Sequence, residues 1–213
     1  MRYKTVFIDW NGTLSDSKFW GHLEDKTHPK HHIFEKIEDS LFGSLKHLIK
    51  PWMRGEQTSE QIVHQIAKVA DLNKEELISE FIESCKSMKL VSDRIFEITK
   101  QLQSQGVKVV VATDNMDSFT RWTIPALKLE TMFDNILNSY DLGVLKGDFD
   151  DKGESLFFNW YLADHELSPT ECVLIDDSED KDGKIQGYGI NYRKIKDSSE
   201  LESVLGDLAQ LES

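Results

Sequence analysis

The feature that most constrains the fold is an apolar run, Val6 to Ile8, that ends on a carboxylate and breaks at once into a turn. Asp9 follows the run directly, and the pair Asn11-Gly12 follows one residue later. Asn-Gly is a strong turn signal, and open α/β folds bind their ligands at the carboxyl ends of such strands. The pattern therefore predicts that Asp9 lies at the mouth of a sheet, as a candidate nucleophile or metal ligand.

Alternating strand and helix signals predict a parallel sheet that is covered by helices on both faces. Five runs are typical of strands, the last of them weakly: Thr5–Asp9, Val107–Thr113, Cys172–Asp176, Gly189–Tyr192 and Asn135–Asn138. Amphipathic helices are predicted over Ser92–Gln105, Leu156–Leu167 and Ser199–Leu211. The predicted fold class is α/β, with a doubly wound parallel sheet.

Residues 18–90 interrupt this alternation, because they carry helix signals in succession and no convincing strand. Capping boxes at Thr58 to Gln61 and at Asn73 to Glu76 precede two amphipathic runs. The insertion leaves from the loop after Asp9, which favours a helical cap that closes over a bound ligand. We predict a core of residues 1–17 and 91–213 with a helical cap of residues 18–90; the alternative is that these helices merely extend the core.

Composition and charge argue against several function classes. Lys and Arg total 25 against 38 Asp and Glu, so the net charge of −13 opposes binding to nucleic acid and to anionic membrane surfaces. The two cysteines, Cys85 and Cys172, stand in apolar surroundings and are expected to be buried free thiols. With no apolar signal region and no uncharged stretch that could span a bilayer, we expect a cytoplasmic protein. The sequence identifies no protein partner.

Polar side chains end three of the predicted strands. They are Asp9 and Asn11 after the first strand, Thr113 and Asp114 at the second, and Asp176 and Asp177 at the third. Because the carboxyl ends of central strands converge on one crevice, these side chains are expected to meet there. Carboxylates gathered in one crevice repel each other unless a hard cation lies between them, and oxygen ligands suit Mg²⁺. The sequence therefore predicts a magnesium site.

These residues resemble the motifs of the haloacid dehalogenase superfamily of hydrolases. The run Asp9-Trp10-Asn11-Gly12-Thr13-Leu14 matches the family's first motif, Asp-x-Asp-Gly-Thr-Leu, except at the second acid. Thr113 resembles the hydroxyl of the second motif, and Asp176-Asp177-Ser178 followed by Gly189 resembles the fourth. The segment from Arg54 to Ser59 resembles a turn of the family's helical caps. The resemblance covers nearly the whole chain and implies a Rossmann-like core with a C1-type cap.

The lysine of the third motif can be placed in two ways. Gly143 to Asp148 reads Gly-Val-Leu-Lys-Gly-Asp and resembles the family's Gly-Val-x-Lys-Pro-Asp, which favours Lys146. Lys152, however, stands at the family's usual distance from Asp176. About six residues are inserted between the two alternatives. We favour Lys146 and keep Lys152 as the alternative.

The resemblance also implies roles for these residues. It makes Asp9 the nucleophile that accepts a phosphoryl group, and it gives the metal-binding role to Asp9, the backbone carbonyl of Asn11, Asp177 and Asp176. Phosphate binding is assigned to Thr113, to the neighbouring backbone at Asp114, and to Lys146 or Lys152. The implied activity is Mg²⁺-dependent hydrolysis of a small phosphorylated metabolite.

Asn11 departs from the family pattern, and the departure has a chemical consequence. In the family's phosphatases the acid at this position protonates the leaving alcohol and later activates water, and an amide does neither. Since general acid–base catalysis contributes about 10²- to 10⁴-fold, three outcomes are open: a slow enzyme, one limited to good leaving groups such as acyl or aryl phosphates, or one that recruits another acid or base from the cap. A metal-independent 2-haloacid dehalogenase and a catalytically weak ligand-binding relative are the alternatives.

Overall fold

The structure, a computed structural model, describes residues 3–211 and contains a five-stranded parallel sheet with the strand order β3-β2-β1-β4-β5. The strands are β1 (Thr5–Ile8), β2 (Lys108–Thr113), β3 (Asn135–Asn138), β4 (Cys172–Asp176) and β5 (Asn191–Lys194). The α/β fold class is therefore confirmed, including the weak strand signal at β3.

The register of the three central strands brings their carboxyl ends level. Ile8 at the end of β1 pairs with Val111 of β2 on one side and with Ile175 of β4 on the other. Asp9 extends the pairing by one residue, because its N–H donates to the carbonyl of Ile175 at 3.0 Å. Asp176 follows Ile175, so the polar strand ends face one crevice.

Ten α-helices are described, joined by short 3₁₀ and π segments. They are α1 (His31–Asp39), α2 (Ile49–Met53), α3 (Ser59–Ala70), α4 (Lys74–Lys86), α5 (Arg94–Ser104), α6 (Ile124–Leu127), α7 (Ser139–Leu142), α8 (Asn159–Asp164), α9 (Lys184–Tyr188) and α10 (Leu201–Leu211).

Alternate residues of the strands supply apolar cores on the two faces of the sheet. On one face Val6 and Ile8 belong to a cluster with Ile95 and Leu102 of α5. On the other face Phe7 packs against Phe158 with the two rings tilted and 5.0 Å between their centroids. This two-sided burial is why the three central strands β1, β2 and β4 are almost continuously apolar.

Several element boundaries differ from those predicted from the sequence, and two of the differences have a clear physical cause. The helix predicted over Leu156–Leu167 is shorter, because Phe157 and Phe158 are buried in a turn before α8 and the Ser155 hydroxyl accepts the Phe158 N–H at 3.0 Å. The last strand begins two residues later than predicted, because Gly189 has a φ of 115° where α9 ends.

Within residues 18–90 the structure shows helices α1 to α4 and no strand. Their apolar faces form a cluster around Trp20, Trp52 and Phe81, which Met116 and Trp122 from the rest of the chain join. The capping box at Thr58 is present, with the Thr58 side chain and the Gln61 side chain exchanging hydrogen bonds with each other's backbone. We call residues 18–90 the helical insertion; the domain boundaries stay a prediction.

Both cysteines are free and buried, as expected, and burial raises the pKa of each thiol to about 12. Among residues 3–211, none of the helices has the length and apolar character needed to cross a bilayer.

Candidate active site

The loop after β1 is a tight turn held by its own backbone. The Gly12 N–H donates to the Ser15 carbonyl at 2.9 Å, and the Leu14 N–H donates to the carbonyl of Asp9 at 3.2 Å. Trp10 and Leu14 are completely buried, which fixes the loop against the core. The turn presents the buried Asp9 carboxylate and the exposed Asn11 to the crevice.

Gly12 is the residue that lets this loop approach the carboxyl end of β4. Its φ of 71° lies in the left-handed region, which favours glycine. A Cβ atom at Gly12 would lie 2.3 Å from Oδ2 of Asp177, which is far inside van der Waals contact. The chain therefore needs glycine here both for backbone conformation and for space beside a carboxylate.

We expect Gly12→Ala to weaken Mg²⁺ binding by about tenfold or more, since the new methyl group displaces the Asp177 carboxylate. Gly153→Ala is the matched control, because Gly153 also has a positive φ, of 82°, but no atom lies within 4 Å of its Cβ position. Both variants carry a left-handed strain of about 1–2 kcal/mol. Isothermal titration with Mg²⁺ measures the difference; equal affinities in the two variants would contradict it.

Lys146 is buried between the carboxyl ends of β1 and β4. Its Nζ lies 2.9 Å from Oδ1 of Asp9 and 2.5 Å from Oδ2 of Asp176. Its backbone N–H donates to Oδ1 of Asp114 at 2.8 Å, which ties the lysine loop to the second strand end. Burial acts to lower the pKa of Lys146, but the carboxylates of Asp9, Asp176 and Asp114 outweigh it and raise that pKa.

Lys152 is not brought to this site. It is exposed in a turn, where its backbone N–H donates to Oδ1 of Asp150 at 2.8 Å. Of the two lysines that sequence motifs allow, only Lys146 contacts Asp9.

We expect Lys146→Met to lower the free energy of unfolding by about 3–5 kcal/mol in EDTA, because it leaves two buried carboxylates without their cation. Lys152→Met is the control and is expected to stay within about 0.5 kcal/mol of the parent protein. Urea unfolding followed by circular dichroism provides the measurement. A Lys146→Met protein as stable as the Lys152→Met protein would refute the pairing.

Three carboxylates can offer oxygen atoms to one cation. Ligand atoms of Asp9, Asp176 and Asp177 all lie within 4.8 Å of one another. Burial, only partly offset by Lys146, raises the pKa of Asp9 to about 7, and burial and Asp176 raise that of Asp177. A bound cation would favour the ionised forms of both groups. The donor set, oxygen only and acidic, fits Mg²⁺.

The pKa of Asp176 moves the other way. Burial acts to raise it, but the Lys146 ammonium group lowers it below its usual range. The Ser178 N–H, which donates to Oδ1 of Asp176 at 2.9 Å, also stabilises the carboxylate. Asp176 is therefore ionised and fixed in orientation at neutral pH.

The second strand end contributes a hydroxyl group. Thr113 is fully buried, and its Oγ1 has no hydrogen-bond partner among residues 3–211. A buried hydroxyl without a partner is costly, which is explained if it serves a ligand oxygen. Asp114 follows, with a pKa that burial raises, and it lines the same crevice.

The crevice itself has a volume of about 640 Å³ and is acidic. Of the described residues that line it, eight are acidic and five are basic. Lys50 and Arg54 come from the helical insertion, and Arg54 makes a bidentate ion pair with Asp148 across the crevice, with distances of 2.6 and 3.1 Å. Without a bound cation, the excess of acids would repel a phosphate group.

Two carboxylates that bind side chains of the helical insertion were not identified from the sequence. Asp148 holds Arg54 and also accepts the Leu145 N–H at 2.9 Å; its place two residues after Lys146 was a signal that could have found it. Asp117 is buried and accepts hydrogen bonds from Trp52 and Ser59 of the helical insertion. No local pattern marks Asp117, because both partners are about 60 residues distant in the chain.

Comparison with known families supports the arrangement. A family model described as haloacid dehalogenase-like hydrolase matches residues 3–184. A search of curated proteins by sequence found no match.

Solved structures with the same fold include both metal-bound and dehalogenase enzymes. The HAD family enzyme bt-2542 from Bacteroides thetaiotaomicron, in complex with magnesium and inorganic phosphate, has a TM-score of 0.65 and 18% identity over 95% of this chain and 98% of its own. A HAD-like family hydrolase from Porphyromonas gingivalis has a TM-score of 0.67, 12% identity and 98% coverage of both chains. The L-2-haloacid dehalogenase from Xanthobacter autotrophicus has a TM-score of 0.64 and 12% identity over 91% of this chain and 77% of its own.

Proposed function

The chain belongs to the haloacid dehalogenase-like hydrolases, and from that premise we propose that it is a Mg²⁺-dependent phosphohydrolase of a small phosphorylated metabolite. The observation that carries the proposal is the meeting of Asp9, Asp176 and Asp177, with ligand atoms within 4.8 Å. The magnesium and phosphate complex of the Bacteroides thetaiotaomicron enzyme supports the same chemistry.

The metal would be held by the carboxylates of Asp9 and Asp177, with Asp176 and the backbone carbonyl of Asn11 beside them. When bound, Mg²⁺ supplies positive charge that offsets the acidic crevice and stabilises the transferring phosphoryl group. The space that Gly12 leaves next to Asp177 fits this assignment, because any side chain there would intrude on the Asp177 carboxylate.

Asp9 acts as the nucleophile in this proposal. One of its carboxylate oxygens attacks phosphorus, the bond from phosphorus to the leaving oxygen breaks, and an aspartyl phosphate forms. Lys146, 2.9 Å from Oδ1 of Asp9, neutralises negative charge on the nucleophile and on the phosphoryl group. The Thr113 hydroxyl donates its free hydrogen bond to a phosphoryl oxygen. Water then attacks phosphorus, which releases inorganic phosphate and restores the Asp9 carboxylate.

Asn11 sets the limit on this cycle. Its side-chain amide can donate a hydrogen bond but cannot protonate a leaving alcohol or accept a proton from water. We therefore expect slow turnover with alkyl phosphates and faster reaction with leaving groups that depart without a proton.

The helical insertion would serve as a cap over the crevice. Its contacts with the rest of the chain combine polar and apolar groups: the ion pair of Arg54 with Asp148 and the hydrogen bonds of Trp52 and Ser59 to Asp117 accompany the packing of Phe81 on Trp122. Gly55 contacts this boundary too, because a Cβ atom on it would lie 2.8 Å from the carbonyl oxygen of Tyr140. A cap in this position limits the access of water to the aspartyl phosphate.

Phosphate release from a panel of phosphorylated metabolites tests the function. The proposal expects release that requires Mg²⁺ and stops in EDTA. Failure to release phosphate from any alkyl, acyl or aryl phosphate, with Mg²⁺ present, would contradict it.

Metal-independent hydrolysis of 2-haloacids is the second candidate. It is favoured by Asn11, since such dehalogenases also lack the second acid, and by the shared fold of the Xanthobacter autotrophicus enzyme. The three clustered carboxylates argue against it, because an anionic haloacid would be repelled in the absence of a cation. Chloride release from 2-chloropropionate in EDTA would reverse this ranking.

A further inference from the structure

A second cavity, of about 540 Å³, adjoins the active-site crevice. Asn11 and Gly12 line both spaces. A substrate with its phosphoryl group at Asp9 therefore has this second cavity within reach of its leaving group. The volume is in the usual range for sites that bind small organic molecules.

The wall of the second cavity is largely apolar and aromatic. The apolar part is formed by Phe19, Trp20, Leu41, Phe42 and Met88, and polar residues such as Ser15 and Ser17 complete the lining. Phe42 lies in the helical insertion and is 54% exposed, although its neighbour Leu41 is buried. Apolar and aromatic linings of this kind bind flat, uncharged groups by burial and ring contacts.

The charged side chains of this cavity do not offer a site for a second anion. The described lining residues include the acids Asp16 and Glu38 and one base, Lys18. Lys18 already contacts Glu24 at 2.5 Å, and Asp16 accepts a hydrogen bond from Ser198. An excess of acids disfavours a leaving group that carries a phosphate or carboxylate of its own.

Asn11 adds a chemical requirement to those that the apolar lining of the second cavity imposes on the leaving group. Because it cannot supply a proton, the leaving oxygen must depart with its electron pair and negative charge. A phenolic oxygen does so readily, since phenols ionise with a pKa of about 10. Alkyl oxygens, which are far more basic, need a proton donor.

We infer that the substrate is an aryl phosphate whose aromatic leaving group occupies the cavity lined by Phe19, Leu41 and Phe42, an inference that rests on the function proposed above. The Asp9 carboxylate oxygen forms a bond to phosphorus while the bond from phosphorus to the aryl oxygen breaks. The electron pair leaves with that oxygen as a phenolate, which takes its proton from solvent. Water later hydrolyses the aspartyl phosphate to inorganic phosphate.

Binding of two non-hydrolysable phosphonates to the full chain with Mg²⁺ tests the inference without turnover. Phenylphosphonate is expected to bind about 10- to 100-fold more tightly than methylphosphonate, because its ring is buried in the second cavity. Phe42→Ser should reduce this ratio by about three- to tenfold. Phe96→Ser is the matched control, because Phe96 is also an exposed phenylalanine, at 41%, and does not line the cavity.

The outcomes separate the inference from the function on which it rests. Equal affinity for the two phosphonates, together with Mg²⁺-dependent binding of both, would overturn the aryl assignment and leave the phosphate site intact. No Mg²⁺-dependent binding of either phosphonate or of inorganic phosphate would overturn the proposed function as well.

Turnover provides a second, independent test. Phenyl phosphate should exceed ethyl phosphate in kcat/KM by about 10²-fold or more, since only the aryl oxygen leaves without a proton. Glu38 is the one carboxylate of the helical insertion that lines the cavity, and burial raises its pKa. Equal kcat/KM values for the two esters would show that an acid such as Glu38 protonates the leaving oxygen, and would overturn the argument from leaving groups.

Discussion

Asp9→Asn is expected to lower Mg²⁺-dependent phosphate release by a factor on the order of 10⁴ or more, to the background of the assay. The amide of Asn lacks the anionic oxygen that attacks phosphorus, and removal of a nucleophile eliminates the covalent route. The variant also removes one of the three carboxylates that would hold the cation. Steady-state release from phenyl phosphate, with parent and variant at equal concentration, measures the loss.

Stability shows whether this loss reflects unfolding. The pKa of Asp9 is raised from 3.8 to about 7 in the folded protein, so between these pH values the folded state binds more protons than the unfolded state. The free energy of unfolding of the metal-free protein therefore falls as pH rises through about 4 to 7. Asp9→Asn removes this penalty and should stabilise the metal-free protein at pH 8, by about 1–4 kcal/mol. A destabilised variant, or one that keeps its activity, would contradict the role of Asp9.

Asn11→Asp is expected to raise the hydrolysis of ethyl phosphate by about 10²- to 10⁴-fold, because it restores a group that can protonate the leaving oxygen and activate water. Phenyl phosphate should gain less in the first step, since its oxygen leaves unaided. Asn11 is exposed and the new side chain has the same shape, so the fold should be unaffected.

A charge control separates this gain from a general electrostatic effect. Asn191→Asp adds the same charge at an exposed residue that begins β5. No change in activity is expected from Asn191→Asp. The contrary result is that Asn11→Asp gains no activity toward any phosphate ester while phosphate still raises the melting temperature of the protein. That result would favour a catalytically weak protein that binds a phosphorylated ligand over a slow phosphatase.

The strand ends could be predicted from the sequence because parallel pairing aligns them automatically. Each of Asp9, Thr113 and Asp176 follows an apolar run, and the register of β1 with β2 and β4 then brings them together. The position of these residues at strand ends can therefore be predicted from the local pattern of apolar residues. The same local pattern also predicts the weak strand β3. In the described sheet this strand lies at an edge and pairs only with β2.

The choice between Lys146 and Lys152 could not be made from spacing alone. The extra residues form a small turn in which the Gly153 N–H donates to the Asp150 carbonyl at 3.0 Å, with Phe149 bridged to Ser155. The turn returns the chain to the point at which it left, so the insertion changes the sequence distance but not the position of Lys146. Such a closed turn has no signature strong enough to reveal this in advance.

Contacts between the helical insertion and the rest of the chain were also beyond local sequence patterns. The buried Asp117 is explained only by Trp52 and Ser59, whose positions depend on packing. The second cavity depends in the same way on Phe19 and Leu41, which come together from two separate segments. Long-range packing determines the contacts of Asp117 and the shape of the second cavity, and the hydrophobic periodicity of the sequence contains no information about such packing.

Covalent catalysis by Asp9 is tested most directly by mass spectrometry of the protein quenched in acid during turnover of phenyl phosphate with Mg²⁺. Because the phenolate leaves unaided whereas Asn11 cannot activate water, the aspartyl phosphate should accumulate. We expect the peptide containing Asp9 to gain one phosphoryl group, EDTA to prevent the gain, and Asn11→Asp to reduce it. Phosphate release with no phosphoryl group on Asp9, or with the group on another residue, would show that Asp9 is not the nucleophile.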